Sequence, residues 1–126
     1  MNPNFNLMDM VERTYRVMRI VNREELLIDF KDEHLQLLST FLESDVQAFE
    51  RMIKTAFDKV ISGASEYEEV NGNVCCAEIS TNTTKIYDNL AENAMGNWCE
   101  LDTKELCYII EEWCDRVRKF KLEHHN

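Results

Sequence analysis

Five cysteines and three histidines are the residues of this sequence best suited to nucleophilic or metal chemistry. A cysteine beside a histidine can act as a thiolate nucleophile, and Cys and His residues at close spacing can hold zinc. No two cysteines have the Cys-x-x-Cys spacing, and His34 lies far along the chain from every cysteine. The odd number of cysteines, without a secretory signal, favours reduced thiols. We therefore predict buried core thiols, no metal site and no cofactor. The residues concerned are Cys75, Cys76, Cys99, Cys107 and Cys114, with His34, His124 and His125.

Motifs for other kinds of catalysis are absent from the sequence. There is no glycine-rich phosphate loop, no Gly-x-Ser-x-Gly nucleophile motif and no His-Glu-x-x-His zinc motif. The 24 acidic residues offer many accidental carboxylate pairs, so none can be singled out for acid–base chemistry. We predict no catalytic residue and a protein that is not an enzyme. A small enzyme that depends on a thiol or a metal is the alternative that these residues leave open.

The negative charge is concentrated in one part of the chain. The formal net charge is −10, and residues 64–115 alone hold twelve acidic residues against two basic ones. Residues 1–63 carry −3 and residues 116–126 carry +3, so these two segments cancel. This balance argues against binding to nucleic-acid phosphates or to anionic membranes, which attract an excess of Lys and Arg. A concentrated acidic zone can be a solvated face that keeps the protein soluble, and it can also steer a basic partner at long range.

The acidic zone also supplies the candidate binding residues. Its acids repel one another, which costs stability, and a cationic partner would relieve that repulsion. Tyr67, Tyr87 and Trp98 are available as the aromatic anchors that interfaces use. We predict a partner-binding surface on the strands and adjoining loops of this zone. Its predicted residues are Glu66, Tyr67, Glu68, Glu69, Asp88, Glu92 and Glu100.

Residues 1–63 are predicted to be helical and to precede the acidic zone. Apolar residues recur at helical spacing from Leu7 to Val21, and a β-type alternation is visible only over residues 15–21. Asp32 is the predicted N-cap of a helix over residues 33–42, and Ser44 that of a helix over residues 46–61. Gly63 is predicted to end the second helix. Four arginines would share one helical stripe, which could bind an anion but is more often a solvated face or pairs with acids of the same molecule: Arg13, Arg16, Arg19 and Arg23.

Residues 64–101 are predicted to form a three-stranded antiparallel meander. Its strands are expected over residues 65–70, 74–80 and 84–88, and Asn71-Gly72 is a strong hairpin signal between the first two. Residues 98–101 are expected to be an apolar lead-in to a long C-terminal helix over residues 102–121, capped by Asp102 or Thr103. With only 3 Gly and 1 Pro, an all-β fold is disfavoured. The predicted fold is a single α+β domain over residues 1–126.

Three stretches of the second half follow one another in a familiar order: Glu-Val-Asn-Gly-Asn at 69–73, Thr-Lys-Ile-Tyr-Asp at 84–88, and Trp-Cys-Glu-Leu-Asp-Thr-Lys-Glu-Leu at 98–106. An apolar helix that ends in basic residues follows. In this order, residues 57–120 resemble bacterial immunity proteins that accompany polymorphic toxins, including those of contact-dependent growth inhibition. The resemblance implies a non-catalytic protein that binds the C-terminal domain of a cognate toxin and blocks it. Many such toxins are nucleases with basic clefts, which the acidic zone would occlude.

Two further expectations concern the partner and the compartment. The alternative to an immunity protein is an adaptor or regulatory protein that binds a protein partner through its helical half. The chain begins without a basic and apolar signal sequence, and no apolar run approaches the ~18 residues that span a bilayer, so we expect it in the cytoplasm.

Overall fold

The computed structural model describes residues 10–89 and 97–124. Six strands form two antiparallel sheets. Along the chain, helical segments follow the strands of the first sheet, and one long helix follows the strands of the second. Strands β1 and β2 form the first sheet, and β3 to β6 form the second in the order β3-β4-β5-β6. The strands are β1 (Arg13–Ile20), β2 (Arg23–Phe30), β3 (Tyr67–Asn71), β4 (Cys75–Ser80), β5 (Thr83–Asp88) and β6 (Trp98–Asp102). The helices are α1 (Gln36–Thr40), α2 (Glu50–Ile61) and α3 (Thr103–His124).

The prediction of a helical N-terminal half is wrong, because β1 and β2 form a hairpin. The hairpin pairs Tyr15 with Ile28 and Val17 with Leu26. Tyr15 stacks on Trp113 of α3 with ring centroids 6.3 Å apart, and Ile28 is fully buried. The hairpin is therefore stabilised by a helix from the other end of the chain, which the local sequence of residues 13–30 does not indicate. Leu7, the first residue of the predicted helical pattern, lies outside the described residues.

The four arginines do not form a helical stripe, because they lie in the β1–β2 hairpin. Each pairs with an acid of the same chain, which is one of the interpretations that the sequence allowed. The pairs are Arg13 with Glu112, Arg16 with Asp29, Arg19 with Glu24, and Arg23 with Glu25. The alternative hypothesis was an adaptor that binds through a helical N-terminal half. That hypothesis depended on helix in a segment where the structure has the β1–β2 hairpin.

The middle of the chain is helical, as predicted, although one of its boundaries differs. Asp32 accepts the backbone N–H of His34 at 2.9 Å and begins a short 3₁₀ turn before α1. Ser44 is not an N-cap, because it lies within a π-helical turn over Phe41–Val46 that follows α1. Asp45 and Val46 are both buried in this turn, and α2 begins only at Glu50. Gly63 follows α2 with φ +87°, as expected for a glycine that ends a helix.

The second sheet has four strands, so the predicted three-stranded meander is also wrong. Residues 98–101 were expected to lead into the last helix, but β6 pairs with β5, placing Trp98 opposite Tyr87 and Leu101 opposite Thr84. Cys99 and Leu101 alternate with exposed residues and are buried. The alternation spans only four residues, two of them buried, and it forms a strand because β5 is available to pair with it.

The long C-terminal helix is present and closes one face of the second sheet. Asp102 Oδ1 accepts the backbone N–H of Glu105 at 2.9 Å, so Asp102 is the cap of the two residues that the sequence offered. The apolar side of α3 is buried with apolar residues of α2 and of the sheet in one core, which includes Phe57, Ile79, Ile86 and Trp113. Over the part of the chain that the structure describes, no helix is both long and apolar enough to cross a lipid bilayer.

The outer face of the four-stranded sheet

One face of the four-stranded sheet carries several acidic and aromatic residues of the acidic zone. Side chains alternate between the two faces of a strand, and Val70, Ala77, Ile86 and Cys99 form a buried row against the core. The opposite side chains form what we call the outer face. It has two complete cross-strand rows and, beyond the first of them, the pairs Tyr67–Ser80 and Thr83–Asp102. The first row is Glu69, Glu78, Lys85 and Glu100, and the second is Asn71, Cys76, Tyr87 and Trp98.

The first row of the outer face is acidic. Glu69 stands directly opposite Glu78 across β3 and β4, and Lys85 stands between Glu78 and Glu100. Like charges in directly opposed positions destabilise a sheet, by roughly 0.2–1 kcal/mol per pair. Glu69 and Glu100 are exposed, so water screens part of this repulsion. The row therefore carries excess negative charge that its own lysine only partly compensates.

Aromatic side chains flank the acidic row. Tyr67 is 48% exposed and Trp98 is 44% exposed, which is unusual for such large apolar groups. Lys85 Nζ lies 4.6 Å from the centroid of the Trp98 ring, in a cation–π contact. Burial and the neighbouring negative groups, Glu69 and Glu78 among them, raise the pKa of Tyr87 to about 12. The face thus combines exposed rings with carboxylates close to them.

A buried carboxylate holds the turn at one end of this face. Asp45 is fully buried, and it accepts the backbone N–H groups of Asn73 and Cys75 at 2.7 Å and that of Val74 at 3.2 Å. A Cβ on Gly72 would lie 2.4 Å from Asp45 Cγ. The predicted Asn71-Gly72 hairpin is present, but glycine is required there by the close approach of Asp45. Asp45 therefore fixes the β3–β4 turn to the helical layer.

The cysteines offer little thiolate chemistry at neutral pH. Burial raises the pKa of Cys75 to about 12 and the pKa values of Cys99 and Cys114 to about 11. On the outer face, Cys76 Sγ lies 2.9 Å from Asn71 Oδ1. Within residues 10–89 and 97–124, no three His, Cys, Asp or Glu side chains come together in a way that could hold a metal ion.

Comparison with known proteins connects this chain with one family. A Bacillus cereus protein with the name "Immunity protein" is 40% identical over 89 residues, which cover 71% of this chain and 76% of the relative. The chain belongs to the immunity proteins. The resemblance found in residues 57–120 is thereby confirmed at the level of the immunity protein, whereas an association with contact-dependent growth inhibition stays a prediction. No protein-family model matches the chain. No solved structure matches it either.

The fold of this immunity protein brings together only part of the predicted binding set. Tyr67, Glu69 and Glu100 lie on the outer face, and Glu66 is exposed just before β3. Glu68 lies on the other side of the sheet, in the row of Ile79. Asp88 does not join the face, because it has the orientation of Ile86 and lies at the end of β5. Glu92 lies outside the described residues.

Sequence reasoning overlooked Glu78 and Lys85, which occupy the centre of the acidic row. Glu78 lies between Ala77 and Ile79, both of them buried. A strict period of two would have placed Glu78 on the outer side with Cys76. The tight turn before β5 then sets Lys85 opposite Glu78. In this immunity protein, the alternation of side chains along the strands therefore indicates which acids share a face. Counting the acids in the sequence did not use this information.

Proposed function

We propose that this immunity protein neutralises a toxin protein by binding its toxic domain with the outer face. The observation that carries the proposal is the acidic row of Glu69, Glu78 and Glu100 between exposed rings, on the side of the sheet opposite the described helices. Uncompensated carboxylates repel one another and lower the stability of the free protein. A basic partner that binds them relieves this repulsion, which favours the complex. The proposed action is stoichiometric binding, without a catalytic step.

A nuclease with a basic active cleft is the toxin that this face fits best. Such a cleft uses Lys and Arg side chains to hold nucleic-acid phosphates. Neighbouring strands lie about 4.8 Å apart. The carboxylates that they carry would meet those cations and exclude the nucleic acid. The proposed setting is a polymorphic toxin system, such as contact-dependent growth inhibition, in which immunity is needed in the cytoplasm.

The exposed rings would give this face its selectivity. Charge alone attracts many basic proteins, whereas shape and buried anchors distinguish one partner from another. Aromatic residues at the centre of an interface are the ones whose truncation most weakens binding. Tyr67 and Trp98 have the exposure that such anchors require, and Glu66 would extend the negative rim beside Tyr67.

The dependence of association on salt tests this proposal. The partner to use is the C-terminal domain of the protein encoded directly upstream of this chain's gene, prepared in a catalytically inactive form. Because the proposed encounter is electrostatically steered, its association rate constant should fall roughly ten-fold or more as salt rises from low to molar concentration. Stopped-flow fluorescence measures the rate. An association rate that does not change with salt, or the absence of a complex, would contradict the proposal.

A further inference from the structure

Strand β3 forms one edge of the four-stranded sheet, and part of its backbone is open. Among the described strands, β3 pairs with β4 alone. The Gly72 N–H donates to the Cys75 carbonyl at 2.9 Å, so these two residues form a hydrogen-bonded pair at the end of the ladder. Hydrogen-bonded and non-hydrogen-bonded pairs alternate along two antiparallel strands. The register therefore makes Glu68 and Val70 the residues of β3 that bond to β4.

The open backbone groups belong to residues of the outer face. Tyr67, Glu69 and Asn71 alternate with the bonded residues, so their N–H and C=O groups point away from β4. Ser65 closes the first of these positions. Its hydroxyl accepts the Tyr67 N–H at 3.3 Å and donates to the Tyr67 carbonyl at 2.8 Å. No such cap from the described part of the chain holds the main chain of Glu69 or Asn71, and both residues are exposed.

We propose that the β3 edge binds an extended basic segment of the toxin domain as a fifth strand of the sheet; this inference rests on the toxin-binding function proposed above. An open sheet edge can hold a peptide through main-chain hydrogen bonds, while alternate side chains of the peptide give specificity. Glu69 and Asn71 each offer one N–H and one C=O to such a strand. The added strand would extend the outer face beyond Glu69, where the acidic row begins.

The charge of the edge favours a basic segment. Glu66, Glu68 and Glu69 lie in β3 or directly before it, and no ion pair among the described residues involves them. Glu69 Oε2 accepts the Tyr67 hydroxyl at 3.4 Å, a long contact with a neutral group that leaves the negative charge in place. In an added strand, the residue opposite Glu69 has its side chain on the outer face, where an opposite charge stabilises the pair. The segment is therefore expected to place Lys or Arg opposite Glu69.

The same carboxylates disfavour a second copy of this chain at the edge. Two β3 strands paired with each other would bring Glu68 and Glu69 of one copy close to those of the other, and like charges across a ladder are destabilising. Charged side chains on edge strands are a common means of preventing such pairing. A strand that carries cations meets no such repulsion. The edge therefore distinguishes a basic partner from a copy of the same chain.

A proline variant tests the main-chain hydrogen bonds separately from the charge. Because the Glu69 N–H points away from β4, Glu69→Pro removes no hydrogen bond of the sheet, and proline is accepted at such edge positions. It should weaken toxin binding roughly five-fold or more beyond Glu69→Gln, which removes the charge and keeps the N–H. Val17→Pro in β1, the edge of the other sheet, is the control and should leave binding unchanged. Equal binding by the two Glu69 variants would overturn the proposal.

Hydrogen exchange of single backbone amides, followed by ¹⁵N NMR, needs no substitution and therefore decides even if Glu69→Pro does not fold. In the free protein, the amides of Glu69 and Asn71 should exchange roughly ten-fold faster or more than those of Glu68 and Val70. In the complex with the unlabelled, catalytically inactive toxin domain, the Glu69 and Asn71 amides should slow by a similar factor. Amides at these two positions that exchange as fast in the complex as in the free protein would contradict the added strand.

The outcomes of the exchange experiment separate this inference from the proposed function. If the toxin domain binds and shifts the Trp98 indole signal while the Glu69 and Asn71 amides stay open, the added strand is rejected and the proposed function stands. If no toxin domain binds, the proposed function fails, and the inference that rests on it fails as well. Protection of Glu69 that rises with protein concentration in the absence of toxin would assign the edge to a second copy, which also overturns the proposal.

Discussion

Replacing Asp45 by alanine should lower the free energy of unfolding by about 3–5 kcal/mol. The variant would leave the backbone N–H groups of Asn73, Val74 and Cys75 without the carboxylate that now accepts them. A buried donor without a partner costs about 1–3 kcal/mol, and water entering the space would recover part of that. Urea unfolding measures the loss. Asp58→Ala, at an exposed position of α2, is the control and should change stability by less than about 0.5 kcal/mol.

Gly72 provides an internal check on this role of Asp45. Gly72→Ala should be destabilising in the wild type, because the new Cβ would lie 2.4 Å from Asp45 Cγ. The same substitution should cost less in the Asp45→Ala background, where the atoms that it would meet are gone. Strictly additive effects of the two substitutions would show that the β3–β4 turn is not held in the way described.

Neutralising the acidic row should weaken toxin binding by about 100-fold or more. The variant is Glu69→Gln with Glu78→Gln and Glu100→Gln, which keeps the size of each side chain and removes three charges from the outer face. Surface plasmon resonance with the toxin domain should show slower association and faster dissociation. Unfolding measurements should show stability that is unchanged or slightly higher, since the Glu69–Glu78 repulsion is removed.

The matched control removes three acids elsewhere on the surface. Glu12→Gln with Asp58→Asn and Glu123→Gln gives the same net charge at exposed positions that lie off the outer face. This control should weaken binding only a few-fold, through the long-range field. Equal losses for the two triple variants would mean that net charge, and no particular surface, attracts the toxin.

The features that the sequence predicted correctly have local signals. Asp102 caps α3, Gly63 follows α2, and the Asn71-Gly72 hairpin joins β3 to β4. The N-terminal hairpin was missed because its stability depends on contacts that are distant in sequence, such as Tyr15 on Trp113. Strand β6 was missed for the same reason, because the short alternation at residues 98–101 forms a strand only through its pairing with β5.

The candidate site shows the same division between local and distant information. Charge counting located the acidic zone, but it could not assign side chains to faces. Neighbouring residues of one strand point to opposite sides, so Glu68 and Glu69 separate although they are adjacent. The role of Asp45 could not be read at all, because its partners lie 28–30 residues further along the chain.

The environment of Trp98 in the toxin complex tests the central claim most directly. Trp98 is exposed on the outer face, whereas Trp113 is buried and its Nε1 has no hydrogen-bond partner among the described residues, so the two indole signals should differ. A soluble paramagnetic agent should broaden the Trp98 signal of the free protein and not that of Trp113. In the complex with the unlabelled toxin domain, we expect the Trp98 signal to be shifted and protected from the agent. A complex in which Trp98 stays as accessible as in the free protein would contradict binding through the outer face.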